Sequence, residues 1–577
     1  MKQPNLSNSK LHQKFPFGLA DVAVILGTFT LLALIGKIGA GTMVSFVPPD
    51  VVPSISLDPW QLPYYAGRST LRMFIALFCS TLFTFIYGYC AAHSRRAERV
   101  LIPLLDILQS VPVLGFLSIT VTAFISLFPG SLWGLEAASI FAIFTSQAWN
   151  MTFSFYQSLR MIPQELDEVI MLYRLSGWAR FTKLEIPSAM IALVWNGMMS
   201  FGGGWFFVAA SEAISVLNQN YTLPGIGSYV AAGVEAQNLP ALGWALLAIA
   251  VVIISVDQLF WRPLIAWSDK FRLEQSASSS APQSWLYDLL KTSRIPRILG
   301  QWFTGLNDRI NSFLCWLTPI RVLRSVNASQ QALTDRIYNW GLLLCVTGLL
   351  IVGLHFILAT VGIAELGTTF LLGLATFGRV LVLLVFSTLV WTPIGVAIGF
   401  NPKLAQLLQP VVQFLASFPA NFIFPFVTLF LIHSHISINW GSIFLMSLGS
   451  QWYILFNSIA GAMRIPTELR EMATATGLKG WKLWQRLIIP GIFSAWVTGG
   501  VTASGGAWNA SIVSEVVTWG TTTLTASGLG AYVASATATG DWARITLGIG
   551  MMSLFVVGAN RLFWQRLYLL AENKYHL

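Results

Sequence analysis

Residues able to do chemistry are few in this chain, and the most conspicuous recur in pairs. Arg72 and Arg379 stand 307 residues apart; Glu212 and Glu515, and likewise Glu168 and Glu471, stand 303 apart. Little else invites catalysis. The six histidines form no cluster. Cys79, Cys90, Cys315 and Cys345 lack CxxC or metal-ligand spacing and read as apolar packing. No GxxxxGK[ST] is present, so the chain has no P-loop to cradle ATP. Neither a catalytic residue nor a cofactor or metal site is expected. The remaining chemistry is electrostatic. Arg72 and Arg379, at the outer end of an apolar run, either anchor a helix or attract an anionic solute at a pore mouth. Glu212 and Glu515 follow glycine-rich bends, "FGGGW" (Gly203, Trp205) and "SGGAW" (Gly506, Trp508). They either cap a turn or act in a gate or partner contact. The glycines either permit close helix packing or mark an unwound segment. Asp257, Asp106 and Lys37 call for local pairing.

The elements that position these residues are membrane helices. The 577 residues are 55% hydrophobic and 10% charged, against about 25% charge in soluble domains, and mean hydropathy is +0.66. Apolar runs long enough for a bilayer, roughly 20 residues, recur throughout. The net charge of +10 is unevenly spread: 93–99, 160–183, 262–336 and 464–486 are basic, whereas 204–261 and 487–543 hold no Lys or Arg. That alternation is a topology signal, with basic loops against lipid headgroups, and argues against nucleic-acid binding. The fold class expected is an all-α polytopic membrane protein with both termini cytoplasmic and an uncleaved first span.

The chain is also a tandem repeat. Residues 163–187 match 466–490 at ten of 25 positions, and the offset of 303 continues downstream; upstream it is 307. Both copies carry the same loop polarity, so the repeats are parallel and each has an even number of spans. The expected organisation is a segment 1–17, a six-span repeat 18–268, a cytoplasmic linker 269–336 with an interfacial amphipathic helix, and a second six-span repeat 337–577. Expected spans are 18–40, 70–92, 102–127, 133–158, 188–210 and 240–265, then 337–362, 371–399, 406–432, 437–461, 491–513 and 543–565.

The repeated polar insert reads as a short helix, a glycine turn and a second helix. In "TELREMATATGLKGWKLWQRLIIP" Thr467 is read as the helix cap, Glu468 and Glu471 as first-turn carboxylates, Gly477 and Gly480 as the break, and Pro490 as re-entry into the membrane. Glu471, Ala473, Gly477 and Pro490 resemble the EAA coupling loop of permease subunits of ABC importers. The tracts after Glu212 and Glu515 resemble the nitrate/sulfonate/taurine branch, in a duplicated, fused form. The resemblance implies a type I ABC importer permease for a small anion (nitrate, a sulfonate or bicarbonate) in a bacterial inner membrane. It also implies a separate ATPase dimer docked on the coupling loops and a separate solute-binding protein. The first copy departs from the pattern. Ile170 and Arg174 replace Ala473 and Gly477, so its break is expected at Gly177, a turn later, with Glu168 and Pro187 retained. The duplication alone would equally suit a secondary transporter or a membrane scaffold.

Overall fold

The structure, a computed structural model, describes residues 54–110, 113–129, 132–173, 175–216, 219–271, 284–292 and 355–574, with scattered positions from 312 to 353. The first expected span, most of 337–362, nearly all of the linker, Lys37, Arg174, Cys315 and Cys345 lie outside the described residues.

In the first half the helices are α1 (Leu62–His93), α2 (Arg95–Ser110), α3 (Val113–Leu127), α4 (Trp133–Arg160), the short α5 (Gln164–Leu172) and α6 (Gly177–Arg180), and α7 (Ile186–Glu212). A hairpin of β1 (Ala213–Val216) and β2 (Gln219–Thr222) follows, then α8 (Ile226–Glu235), α9 (Leu239–Val256) and α10 (Arg262–Ser268); α11 (Trp285–Thr292) lies in the linker and packs on α10. The second half repeats the order: α12 (Ile363–Phe400), α13 (Pro402–Ser417), α14 (Phe424–His433), α15 (Ile438–Arg464), α16 (Thr467–Ala475), α17 (Gly480–Leu483), α18 (Ile489–Ser514), β3 (Val516–Trp519), β4 (Thr522–Thr525), α19 (Leu529–Thr539), α20 (Trp542–Ala559) and α21 (Gln565–Lys574). Seven helices among the described residues are long and apolar enough to cross a membrane.

Each half is built on a three-helix layer, α1–α4–α7 and α12–α15–α18. The third expected span is interrupted in the second half. In the first, 102–127 is covered by α2 and α3, with 111–112 outside the described residues. The second, 406–432, stops at Phe418, which is extended (ψ 126°) ahead of Pro419, and resumes through a 3₁₀ turn, Ala420–Phe422; a residue before proline is pushed from helical to extended geometry. These segments join the halves: α3 packs on α18, α19 and α20, while α13 and the 3₁₀ turn pack on α7 and α9. The two seams meet at the same position of α7 and α18. The Val113 N–H donates to Asn509 Oδ1 (3.0 Å), and Asn421 Nδ2 donates to the carbonyl of Phe206 (3.1 Å); Phe206 and Asn509 are related by the 303 offset.

The glycine runs do not unwind. Residues 201–204 stay helical, and a Cβ at Gly202 would lie 2.5 Å from Ser417 Oγ across the seam, so the run serves close packing. Two π turns, Phe181–Glu185 and Trp484–Ile488, lead into α7 and α18. Each spans the carbonyl four residues before Pro187 or Pro490. Proline has no N–H and its ring crowds that carbonyl, and a π turn absorbs the defect without ending the helix. Asp257 pairs with Arg262 (2.8 Å) as expected. Cys79 is half-buried and Cys90 exposed, so neither is a core residue.

Candidate functional site

Two constellations emerge at opposite ends of the bundle. At the hairpin end, Glu212 and Glu515 are fully buried at the exits of α7 and α18. Glu212 Oε1 accepts from Ser69 Oγ (2.6 Å) and Arg72 Nη1 (2.7 Å), and Oε2 accepts from the Gly227 N–H (2.7 Å). Glu515 repeats this with Thr376 (2.7 Å), Arg379 (2.7 Å) and the Ala531 N–H (3.1 Å). The hydroxyls also accept the first N–H of α8 or its neighbour in α19, Ile226 to Ser69 (3.0 Å) and Leu529 to Thr376 (2.8 Å). Each carboxylate therefore ties three elements: the spanning helix that brings the arginine, the helix that ends at the glutamate, and the N-terminus of the helix after the hairpin, where a negative charge is favoured. Arg72 and Arg379 are buried together with these carboxylates.

The struts are not identical. Arg72 also clamps Glu136 through Nε (2.6 Å) and Nη2 (2.7 Å), and Arg68 adds a further ion pair to Glu136. Arg379 has neutral partners there, Asn439 Oδ1 (2.8 Å) and the Ser527 carbonyl (3.0 Å). Arg68 corresponds to Ala375. A cation and its carboxylate are thus lost together, as the cost of an unpaired buried charge requires.

Gly225 and Gly528 are the space the carboxylates occupy. A Cβ on either would lie 2.2 Å from the carboxylate of Glu212 or Glu515. Their φ values of −177° and −161° are ordinary extended backbone, so space alone requires glycine. Gly528→Ala is expected to lower stability by about 1–3 kcal/mol through overpacking. Gly505→Ala, with nothing within 4 Å, should leave the melting temperature of the detergent-solubilised protein unchanged or raised.

The other residues singled out near the bends separate. Trp205 and Trp508 are buried packing groups, Trp205 edge-on to Phe201 and Trp508 stacked on Phe377 and Phe555. Gly203 and Gly506, from opposite halves, come together at one side chain: a Cβ on either would lie 3.6 Å from Tyr453. Tyr453, Ser69, Thr376, Glu136 and Asn439 escaped the sequence reading. Ser69 and Thr376 carried a usable signal, because they keep a hydroxyl at the 307 offset.

At the opposite end, α5–α6 and α16–α17 form two knobs that run through the π turns into α7 and α18. Both first helices are nine residues long and end at equivalent places, Leu172 and Ala475. The first helix therefore does not run a turn longer, and Gly177 opens α6, capped by Ser176, instead of breaking α5. In the second knob Gly477 (φ 69°) and Gly480 (φ 55°) are left-handed, a geometry glycine adopts without strain. Pro466, not Thr467, holds the cap position of α16, with no side-chain bond, and Glu471 is the fifth helical residue, so only Glu468 meets the helix start. Ala473 is buried against the chain's own Ala462, Ile465, Leu487 and Ile488. Its small side chain seats α16 on the bundle and does not face a partner. Arg470 lies over the Phe400 ring (4.4 Å) and donates to the Ala462 carbonyl (2.6 Å); burial lowers its pKa from the ordinary arginine value. The outward faces carry large apolar side chains among charged ones. Leu172 (81% exposed), Tyr173 (76%) and Val169 stand out on the first knob, Trp481 (66%) and Met472 (60%) on the second, beside exposed Glu168 and Glu471.

Residues 80–260 and 391–566 each match the family described as "Binding-protein-dependent transport system inner membrane component". Among curated proteins, the chain is 25% identical over 211 residues to the nitrate import permease protein NrtB of Leptolyngbya laminosa, covering 34% of this chain and 71% of that protein. It is 23% identical over 186 residues to the bicarbonate transport system permease protein CmpB of Synechococcus elongatus, covering 32% of this chain and 60% of that protein.

Proposed function

The chain belongs to the family of binding-protein-dependent transport system inner membrane components and carries its domain twice, and from that premise we propose that it is a two-half permease of an ATP-driven importer of a small anion of the nitrate, sulfonate or bicarbonate class. The knob end is cytoplasmic, with both termini and the basic linker 269–336, in a bacterial inner membrane. A dimer of ATP-hydrolysing subunits docks on the knobs, and a solute-binding protein delivers the anion at the hairpin end. The observation that carries this reading is the pair of knobs: apolar side chains exposed beside a carboxylate on a short helix, which a turn joins to a second short helix continuous with a spanning helix. Closure of the ATPase dimer pushes α5 and α16, and α7 and α18 carry the displacement to Gly203, Gly506 and Tyr453, the proposed path between the halves. The names of the nitrate and bicarbonate relatives support the solute class.

Purification of the tagged chain from its native membrane tests the assembly. Cysteines replacing Glu168 and Glu471 are expected to cross-link to a co-purifying P-loop ATPase. Recovery of the chain alone, with uptake driven by an ion gradient, would replace this reading with a secondary transporter.

A further inference from the structure

The two knobs are tied to the bundle by different chemistry. At the end of α1, His93 Nε2 lies 2.9 Å from Glu185 Oε1 and His93 Nδ1 lies 3.0 Å from the Tyr89 carbonyl. Arg180 Nε donates to the same Oε1 at 2.7 Å. Both ring nitrogens of His93 thus face acceptors. A neutral imidazole has one N–H and one lone pair, and would turn that lone pair on either the carbonyl or the carboxylate. Only the imidazolium donates to both. Glu185 is nearly fully buried, and its Oε2 has no hydrogen-bond partner among the described residues, so its charge is answered through Oε1, by Arg180 and by His93 when the ring is protonated.

The second half has none of this. By the same offsets, His93, Arg180 and Glu185 become Phe400, Leu483 and Ile488. Phe400, Leu483 and Ile488 belong to one apolar cluster, with Arg470 over the Phe400 ring. All three ionisable residues are exchanged as a set.

We propose that His93, Glu185 and Arg180 form a proton-dependent tie between α1 and the first knob, so that coupling through the first half, and not the second, responds to pH on the knob side. The three are positioning residues, and the effect on coupling rests on the ATPase-docking reading above. The tie is complete while the ring carries both protons; as pH rises and one is lost, the ring can no longer donate to both acceptors. The groups facing His93 are consistent with a local switch: Glu185 from the π turn, Arg180 from α6, and Tyr89 from its own helix, whose ring stacks at 4.0 Å. Glu98, next along the chain, is engaged by Tyr156 (2.6 Å) and Arg160 (3.7 Å) instead.

Hydrogen exchange on the purified full chain, from about pH 6 to pH 8, reads the tie directly. The protection of 177–185 is taken relative to 480–488 in the same sample, which removes the intrinsic pH dependence of exchange. In the wild type this ratio is expected to fall about tenfold as pH rises, the size of a lost charge-assisted hydrogen bond. His93→Lys, whose cation does not titrate there, should hold the ratio flat. So should the triple variant His93→Phe, Arg180→Leu, Glu185→Ile, which copies the second half. A flat ratio in the wild type, or an unchanged slope in His93→Lys, overturns the tie. In the reconstituted complex the anion moved per ATP should fall with pH in the wild type only. A pH-dependent exchange ratio with a pH-independent transport ratio overturns its role in coupling. If solute never stimulates ATPase activity at any pH, the docking reading fails, while the exchange ratio still decides the tie.

Discussion

Glu515→Ala is expected to destabilise the protein more than Glu212→Ala, although both carboxylates are fully buried and similarly bonded. Removing one member of a buried ion pair typically costs about 3–5 kcal/mol, because the partner charge is left without compensation. Arg379 would be left in that state, since its other contacts are Asn439 and the backbone carbonyls of Asn439 and Ser527. Arg72 would keep the bidentate carboxylate of Glu136. The hydroxyl and N–H donors orphaned by the two substitutions are equivalent, so the difference, about 1–2 kcal/mol from one retained charged partner, isolates the surrounding charge. Thermal unfolding and monodisperse yield in detergent provide the measurement. Glu136→Gln combined with Glu212→Ala should bring the first half to the level of Glu515→Ala. Equal losses for the two single variants would show that the arginines are compensated by something other than these carboxylates.

Glu471→Lys is expected to abolish coupling without touching the fold. Glu471 is exposed, mid-helix and remote from the cap, so its replacement should not change the melting temperature. Reversing a charge at a docking face should lower solute-stimulated ATPase activity at least tenfold, equivalent to about 1.4 kcal/mol of docking energy. Glu168→Lys should be milder, because the first knob presents more apolar surface and departs further from the coupling-loop pattern. Truncation reverses the order. Tyr173→Ala or Leu172→Ala removes a large exposed anchor, and losses of about 2 kcal/mol are typical where such anchors fill a partner's pocket. Thr476→Ala, at the position equivalent to Tyr173, should do little. Reconstituted complexes carrying each change, assayed for uptake and ATPase activity together, separate these outcomes. If Glu168→Lys is the more damaging, the first loop's deviations are an adaptation to its own partner surface.

Much of this architecture was legible in the sequence because a membrane constrains it so strongly. The runs 188–210 and 491–513 lie inside Ile186–Glu212 and Ile489–Ser514, and the repeat offset carries every later element from one half to the other. The interruption of the span 406–432 was missed because apolar periodicity runs through Pro419 and hides it. The hairpins were missed although the second announces itself: "VVTWGTTTLT" is rich in β-branched residues around Gly520, which is left-handed (φ 57°). The strut pairs were visible only as recurrence. Arg72 and Glu212 are 140 residues apart, and nothing local says that they meet, but two arginines and two glutamates recurring near the ends of corresponding spans marked them. The direction of Ala473 was not legible, because a small residue on a surface helix serves either neighbour equally well, and only packing decides which.

The account turns on whether movement of the anion depends on ATP bound at the knobs. Vesicles reconstituted with the chain, its co-purifying ATPase and the solute-binding protein, and loaded with ATP, offer the most direct measurement, with isotopically labelled bicarbonate and nitrate tested in turn. The prediction is uptake of one of these anions that requires ATP, requires the binding protein, and is lost in Glu471→Lys while the complex stays assembled. Uptake that proceeds without ATP on an ion gradient, or that survives Glu471→Lys and Tyr173→Ala together, would contradict it.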